Sequence, residues 1–351
     1  MERYKRKGLP WASGIGLDVK GCTSSGEVMV KSKLDFVVKK CDLFGKMPIS
    51  ISGDNAENLD SDSFIKDRNV FAPCENAFGT YRTDLNIPLG IVKSKYTVVQ
   101  NTEAFKFFDS AIGKGKAEWQ YAGYFGNGSK IFVTAKLPET MRVGNDPVDS
   151  YLVFSNSHDG SSSINIMLTP VRVFCTNCLN GAANQTNAYI NIRHTKSVTD
   201  NLNLGTEVFK AALELSSSTE ELYNYINNIK LTDDEVKKFI AKTILTDVEY
   251  KTLEAYDKDN GVRKLLDRNG LTLDATNIST RKTNQIISSY EYYHQGFGQE
   301  EIIGTAWGAY NAITGYYSNV GSAEGEARMN SLLYGTASRV CNKALQIAVT
   351  V

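Results

Sequence analysis

Apolar residues recur in two different rhythms along the chain, one in each half. In the first half, short runs rich in β-branched and aromatic residues are bounded by Gly, Asn, Asp or Pro, a pattern that predicts strands. Segment 101–115 instead places Phe105, Phe108 and Ile112 on one side of a predicted helix that ends at Gly113. The predicted strands lie within 34–44, 89–100, 128–137, 150–157, 163–177 and 188–195.

After about Thr195 the apolar residues follow helical spacing. Ser218 or Thr219 precedes acidic residues as an N-cap does, and Thr232 begins another helix whose first turn is acidic. The polar, acidic segment Ser50–Asn69 predicts a loop. Further helices are predicted near 247–268, 280–295, 302–318 and 325–348.

These patterns predict an α+β fold. Residues 1–200 are expected to form an antiparallel sheet module with an embedded helix, and residues 201–351 an all-helical region. The charge divides along the same line. Residues 1–200 hold 24 Lys+Arg against 20 Asp+Glu (+4), whereas residues 201–351 hold 15 against 19 (−4).

The composition is that of a globular protein: of 351 residues, 42% are hydrophobic and 22% are charged, and 7 are prolines. The basic N-terminus has no apolar run behind it, and no stretch reaches the roughly 20 apolar residues of a membrane helix. The six cysteines are scattered, which favours reduced thiols over a disulfide framework. We therefore expect a cytoplasmic protein that does not contact a membrane.

Segment 157–181 combines a His-Asp pair with Cys-x-x-Cys, and three interpretations compete. Cys175 and Cys178, with His158 and His194, have the ligand types of a zinc site. Cys175, either imidazole and Asp159 could instead supply a thiol nucleophile, its base and an orienting carboxylate. The third interpretation, which we favour, is a β-hairpin turned by the Asp-Gly dipeptide.

Segment 113–136 interleaves lysines with aromatic residues. Single-stranded nucleic acid is bound by cations that follow the phosphates and by rings on which bases stack, so this mixture predicts such a surface. The alternative is that the rings belong to the core. The predicted phosphate contacts are Lys93, Lys95, Lys114, Lys116, Lys130, Lys136, Arg172 and Arg193, and the predicted stacking rings are Trp119, Tyr121 and Phe125.

Familiar catalytic signatures are missing from the sequence. It has no Walker A loop, no glycine-rich Rossmann turn, no His-Glu-x-x-His and no serine nucleophile elbow. We therefore expect a non-enzymatic protein without a cofactor. Small residues at helical spacing near the C-terminus, among them Gly308, Ala309 and Ala312, favour helix packing or self-association, and a homo-oligomer is expected.

An ordered succession of motifs between Tyr81 and Ala348 resembles the phage/plasmid-like protein family, known as domain of unknown function 932. The segments are YRTD, AGYFGNGSKIFVTAKLP, YLVFSNSHDGSSS, TPVRVFCTNCLN, IRHT and GTAWGAYNAIT. The cysteine motif of that family usually reads R-V-V-C-x-N-T-L. Arg172, Cys175 and Asn177 match it, whereas Cys178 stands where Thr is common, which weakens the zinc interpretation.

The family name implies a mobile-element origin but does not specify an activity. In outline the family is similar to phage single-strand annealing proteins and to eukaryotic ring-forming annealing mediators. The resemblance therefore implies an oligomer in the cytoplasm of a bacterial host that binds single-stranded DNA and assists annealing, recombination or replication. Two alternatives stay open: a thiol- or metal-dependent enzyme using Cys175, His158 and His194, and a protein that binds a host or phage partner through its acidic helical half.

Overall fold

The computed structural model describes residues 6–12, 14–48, 69–112, 115–173, 177–179, 189–195, 205–256 and 278–351. It confirms the predicted α+β fold. Antiparallel sheets occupy the first half with helices embedded among the strands, and helices occupy the second half. Two of the predicted site residues, Lys114 and Cys175, lie outside the described residues.

The larger sheet has six antiparallel strands. They are β1 Gly16–Asp18, β5 Glu118–Phe125, β6 Lys130–Val143, β7 Asp146–Ser157, β8 Ile164–Arg172 and β9 Tyr189–Ile192. The spatial order is β1-β5-β6-β7-β8-β9, so from β5 onward each strand pairs with the next one along the chain. The turn between β7 and β8 contains Gly160 at φ +74°, which confirms the predicted Asp-Gly hairpin.

A smaller sheet holds β2 Val38–Pro48, β3 Asn69–Arg82 and β4 Ile87–Lys93 in that order. Beyond the register shift that follows Asp42, residues 44–48 of β2 pair only with residues 69–73 of β3. We call this two-stranded extension the outer ribbon. At the opposite end of β2, the side-chain amide of Gln100 accepts from the Val38 N–H at 3.1 Å and donates to the Val38 carbonyl at 2.9 Å.

Nine α-helices lie within the described residues. They are α1 Ser25–Ser32, α2 Asn101–Ile112, α3 Gly205–Asn228, α4 Asp233–Ile244, α5 Asp247–Tyr256, α6 Thr280–Gln295, α7 Ala306–Gly315, α8 Gly325–Leu333 and α9 Thr336–Thr350. Thr232 caps α4 as predicted, and Glu235 completes a capping box. The predicted N-cap at Ser218 or Thr219 is wrong, because α3 continues through both residues and the Ser218 hydroxyl donates to the Glu214 carbonyl one turn earlier.

Both faces of the larger sheet are buried. On one face, Val133 and Phe154 join a core that includes Phe105 and Phe108 of α2. On the other face, Phe132 joins a core with Trp11 and residues of α8. A third core lies among the C-terminal helices and includes the ends of β6 and β7.

The two sequence halves therefore share their cores. Ala212 and Leu215 of α3 pack with the strands on the α2 side, and Met329 and Leu332 of α8 pack on the opposite side. The predicted boundary between residues 200 and 201 lies outside the described residues. Among the helices that the structure describes, none combines the length and the apolar character needed to cross a bilayer.

Candidate nucleic-acid interface

Two of the three predicted stacking rings are buried. Trp119 is 2% exposed and lies 5.2 Å from the Phe108 ring, on the α2 face of the sheet. Phe125 is 9% exposed and stacks on Phe132, on the opposite face. Tyr121 is partly buried, with the Lys20 ammonium 5.2 Å from its ring. The prediction that Trp119 and Phe125 stack on bases is wrong in this fold, because helices cover both faces of their strand.

The cations predicted on the same strands are only partly free. Lys136 forms an ion pair with Asp149 at 2.8 Å. Arg172 is 1% exposed and paired with Asp146, so the prediction that it contacts phosphate is also wrong. Lys116 is exposed and Lys130 is half-buried, and the two occupy different ends of the β5–β6 pair. Among the described residues of this hairpin, the lysines and the rings do not form one continuous exposed surface.

Three of the predicted cations lie on two chain segments that meet elsewhere in the fold. Lys93 and Lys95 are exposed at the exit of β4, and Arg193 is exposed just after β9. The two backbone segments meet there: the Tyr96 ring stacks on His194 at 4.5 Å, and the Thr97 N–H donates to the His194 carbonyl. This junction joins the segment that carries Lys93 and Lys95 to the segment that carries Arg193.

The smaller sheet extends this positive surface. Residues directly opposite one another on paired strands share a face, so Lys39 lies with Tyr81, and Ile91 with Gly79. Lys93 lies opposite Ala77 on that face. We call the surface carrying Lys39, Cys41, Tyr81, Ile91 and Lys93 the outer face. Ile91 is 68% exposed, which shows that this side of the sheet is open to solvent.

The outer ribbon exposes aromatic rings beside a lysine. Phe44 is 57% exposed and Phe71 is 65% exposed, and Phe71 lies directly opposite Lys46. Within the described ranges, no carboxylate forms an ion pair with Lys39, Lys46, Lys93 or Lys95. Exposed lysines and exposed rings therefore occur together on the smaller sheet, where Lys93 had been predicted but Lys39, Lys46, Phe44 and Phe71 had not.

The inner side of the smaller sheet is fixed to the turns of the larger sheet. Arg82 lies 3.9 Å over the Phe36 ring and donates to the Asn127 carbonyl at 2.9 Å. The Thr80 hydroxyl donates to the His158 carbonyl at 2.6 Å. A Cβ on Gly90 would lie 2.5 Å from the Asp159 Cα, so only glycine allows this approach. These contacts fix the smaller sheet against the turns of the larger sheet, with the outer face directed away from them.

The described members of the predicted thiol and zinc sites, His158, Asp159 and Cys178, do not lie in one cluster. His158 is fully buried and its Nε2 bonds Asn101 at 2.9 Å, whereas the Asp159 carboxylate accepts from Ser161 within the turn. Cys178 pairs with Val171 near the far end of β8, roughly 25 Å along the strand from the histidine. Cys178 therefore does not join His158 as a zinc ligand, and Asp159 does not orient the His158 imidazole. The thiol hypothesis itself is not tested, since Cys175 lies outside the described residues. Among the described residues, no three His, Cys, Asp or Glu side chains form a group suited to a metal.

Because His158 is buried, its protonation makes the stability of the fold depend on pH. Desolvation, followed by the field of His194, lowers the pKa of His158 to about 3. The unfolded chain protonates this imidazole near pH 6.5, but the folded chain does not. Stability contributed by the neutral form is therefore complete above pH 6.5 and is lost as the pH falls toward 3.

We expect the free energy of unfolding to fall between pH 6.5 and 5 by up to about 1.4 kcal/mol per pH unit from His158. The measurement is a series of urea titrations on the wild type and on His158→Gln, which cannot take up this proton. The variant should show a flatter dependence on pH over this range. Equal slopes in the two proteins would show that His158 does not carry the effect.

A second buried polar cluster joins the strands to the C-terminal helices. Asp146 accepts from Arg172 and, at 3.1 Å, from the Trp307 indole. Asn177 contacts Asn311 of α7 and, at 2.9 Å, Asn319 of the π-helical turn Tyr316–Val320. Arg172 and Asn177 belong to the cysteine motif, and Trp307 and Asn311 to GTAWGAYNAIT. The motifs that carried the resemblance thus meet in one network, whose position points to a structural role.

The fold and the site together define an α+β protein with an exposed basic sheet mounted on the turns of a buried one. The family model described as Domain of unknown function (DUF932) matches residues 88–343, and the chain belongs to that family. No curated protein and no solved structure matches the chain.

Proposed function

We propose that the protein binds single-stranded nucleic acid along the outer face and the outer ribbon. One observation carries the proposal: Lys39, Lys46 and Lys93 have no carboxylate partner among the described residues and lie on the same sheet as exposed rings. Lys95 and Arg193 continue the positive surface at the exit of β4.

The chemistry of this surface suits an unpaired strand. Lysines without carboxylate partners are available to phosphates, and binding releases the counterions that the phosphates had condensed. Phe44, Phe71 and Tyr81 offer flat rings, and each stacked base contributes roughly 1–3 kcal/mol. A duplex keeps its bases inside and would leave these rings unused.

The resemblance to a phage- or plasmid-type family favours DNA as the polymer. We extend the proposal accordingly to single-stranded DNA in annealing, recombination or replication of a mobile element in a bacterial host cytoplasm, by a homo-oligomer that needs no cofactor. This extension is supported by the resemblance and by the basic sheet.

The test replaces Lys39, Lys93 and Lys95 with glutamine in one variant. Fluorescence anisotropy of a labelled oligothymidylate, measured across a salt series, should show at least about tenfold weaker binding at low salt. The log–log salt slope should become shallower by about 2, since each lost phosphate contact contributes about 0.7. Excess duplex competitor should displace the oligonucleotide poorly.

A matched control removes three charges from the strands first considered, by replacing Lys116, Lys130 and Lys136 with glutamine. Net charge changes equally, so this variant should keep near wild-type affinity and slope. Equal losses in both variants would indicate non-specific attraction. Absence of binding by the wild type at low salt would contradict the proposal.

A further inference from the structure

The smaller sheet and the segment that follows it meet the larger sheet at two buried histidines. His158 comes directly after β7, and its carbonyl accepts from the Thr80 hydroxyl of β3 at 2.6 Å. His194 comes two residues after β9, and its ring stacks on Tyr96, just beyond β4. The Tyr96 hydroxyl also donates to the Ser157 carbonyl, so one segment contacts both places. We call these contacts the sheet junction.

Hydrogen bonds on one side of each ring fix its tautomer. Asn101 donates its Nδ2 to the Leu34 carbonyl, so its Oδ1 accepts from His158 Nε2–H at 2.9 Å. His194 Nδ1 lies 3.1 Å from the Thr97 carbonyl, which can only accept. In the neutral form the lone pairs are therefore on His158 Nδ1 and on His194 Nε2.

These two nitrogens, His158 Nδ1 and His194 Nε2, are buried and have no hydrogen-bond partner among the described residues. A proton added to either atom would create a positive charge with no acceptor for its new N–H. Such a charge is costly inside the fold and not in water. Because an open junction exposes the rings to water, proton uptake favours the open form over the closed one.

The charged groups around the junction do not remove this cost. The Asp159 carboxylate accepts from a backbone N–H within its own turn, and it raises the pKa of His158 less than burial and the field of His194 lower it. Arg82 of β3 lies over a phenylalanine ring that also contacts His158. Lys40 of β2 donates to the backbone carbonyl of the tyrosine that stacks on His194, and burial lowers the pKa of His194 too. Both added cations oppose protonation of the rings.

We propose that proton uptake by His158 and His194 opens the sheet junction, so that the attachment of the smaller sheet responds to pH. The closed form has its full stability above pH 6.5, and each histidine favours opening by up to about tenfold for each pH unit below it. Opening separates the segment that carries Lys93 and Lys95 from the segment that carries Arg193. Any consequence for nucleic-acid binding rests on the proposed function.

Hydrogen exchange of the full chain tests the opening, measured by NMR from pH 7.5 to 5 and corrected for the intrinsic exchange rate at each pH. The Thr97 amide donates to the His194 carbonyl and reports on the junction, whereas the Ala309 amide donates to the Thr305 carbonyl in α7 and reports on global unfolding. The opening constant at Thr97 should exceed that at Ala309 at every pH. It should also rise at least about tenfold between pH 6.5 and 5. No nucleic acid is present, so the result does not depend on the proposed function.

His158→Gln and His194→Gln each keep an N–H for the bond that the imidazole makes, but neither glutamine takes up a proton. Each variant should show a shallower dependence of the Thr97 opening constant on pH than the wild type. His294→Gln is the matched control, because this third histidine is exposed on α6 and should leave the dependence unchanged. If one variant does not fold, the other variant and the wild type decide.

Three results would overturn the proposal. The first is a Thr97 opening constant equal to that of Ala309, which would mean that the junction opens only by global unfolding. The second is a Thr97 opening constant that does not rise as the pH falls. The third is the full wild-type dependence on pH in a folded variant of His158 or His194.

Discussion

Replacing Asp146 with alanine is expected to lower the free energy of unfolding by about 3–5 kcal/mol. Asp146 is 3% exposed and its partner Arg172 is 1% exposed, so the substitution leaves a buried guanidinium without its carboxylate. It also removes the acceptor of the Trp307 indole. Burial raises the pKa of Asp146 against the opposing field of Arg172, so desolvation offsets much of the attraction within the pair. The large loss comes from the uncompensated charge.

Urea unfolding of Asp146→Ala beside the wild type measures this loss. The control is Lys136→Met, because its partner Asp149 lies on the same strand as Asp146 but the pair is partly solvated. A partly exposed ion pair contributes at most about 1 kcal/mol. A cost for Asp146→Ala no greater than for Lys136→Met would contradict the importance assigned to the buried network.

Trp119→Ala and Phe71→Ala are expected to have opposite consequences. Removing the Trp119 indole from beside Phe108 should cost about 3–5 kcal/mol of stability, because it leaves a cavity in the core. Phe71 is exposed on the outer ribbon, so its removal should change stability by no more than about 0.5 kcal/mol.

For oligonucleotide binding the order should reverse. At temperatures where it remains folded, Trp119→Ala should bind single strands as the wild type does. Phe71→Ala should lose one stacking contact, which is roughly 1–3 kcal/mol of binding free energy, or about fivefold or more in affinity. Paired urea and anisotropy measurements on both variants check this. Weaker binding by a folded Trp119→Ala, together with unchanged binding by Phe71→Ala, would contradict binding at the outer ribbon and would support β5 as the binding surface.

Local patterns predicted much of the fold. The alternation in β6 to β9, the Asp-Gly turn and the acidic first turn of α4 each act over a few residues, and they were interpreted correctly. The predicted helix over 325–348 is instead two helices separated at Tyr334 and Gly335. Apolar periodicity continues across that break, so spacing alone does not locate it.

The stacking prediction failed for a non-local reason. Whether an aromatic residue of a strand faces solvent depends on what covers that face. β5 is covered by α2 on one side and by Trp11 and α8 on the other. α8 is more than 200 residues away in the chain. No window around Trp119 or Phe125 contains that information.

The outer face was missed for a local reason. β3 begins at Asn69, where the predicted loop was expected to end, and its register with β2 shifts between Asp42 and Phe44. Extra residues on β3 disrupt the alternation that would have predicted a strand. Lys93, Lys95 and Arg193 were identified, but their common edge depends on the contact between Tyr96 and His194.

The Gln100 amide that bonds Val38 occupies the position of a neighbouring strand. It satisfies one backbone N–H and one C=O at the inner end of β2, where another chain would otherwise add by main-chain pairing. Lateral growth of this sheet into a fibre is thereby hindered at its base. In the proposed complex, a nucleic acid would therefore contact this sheet through its side chains.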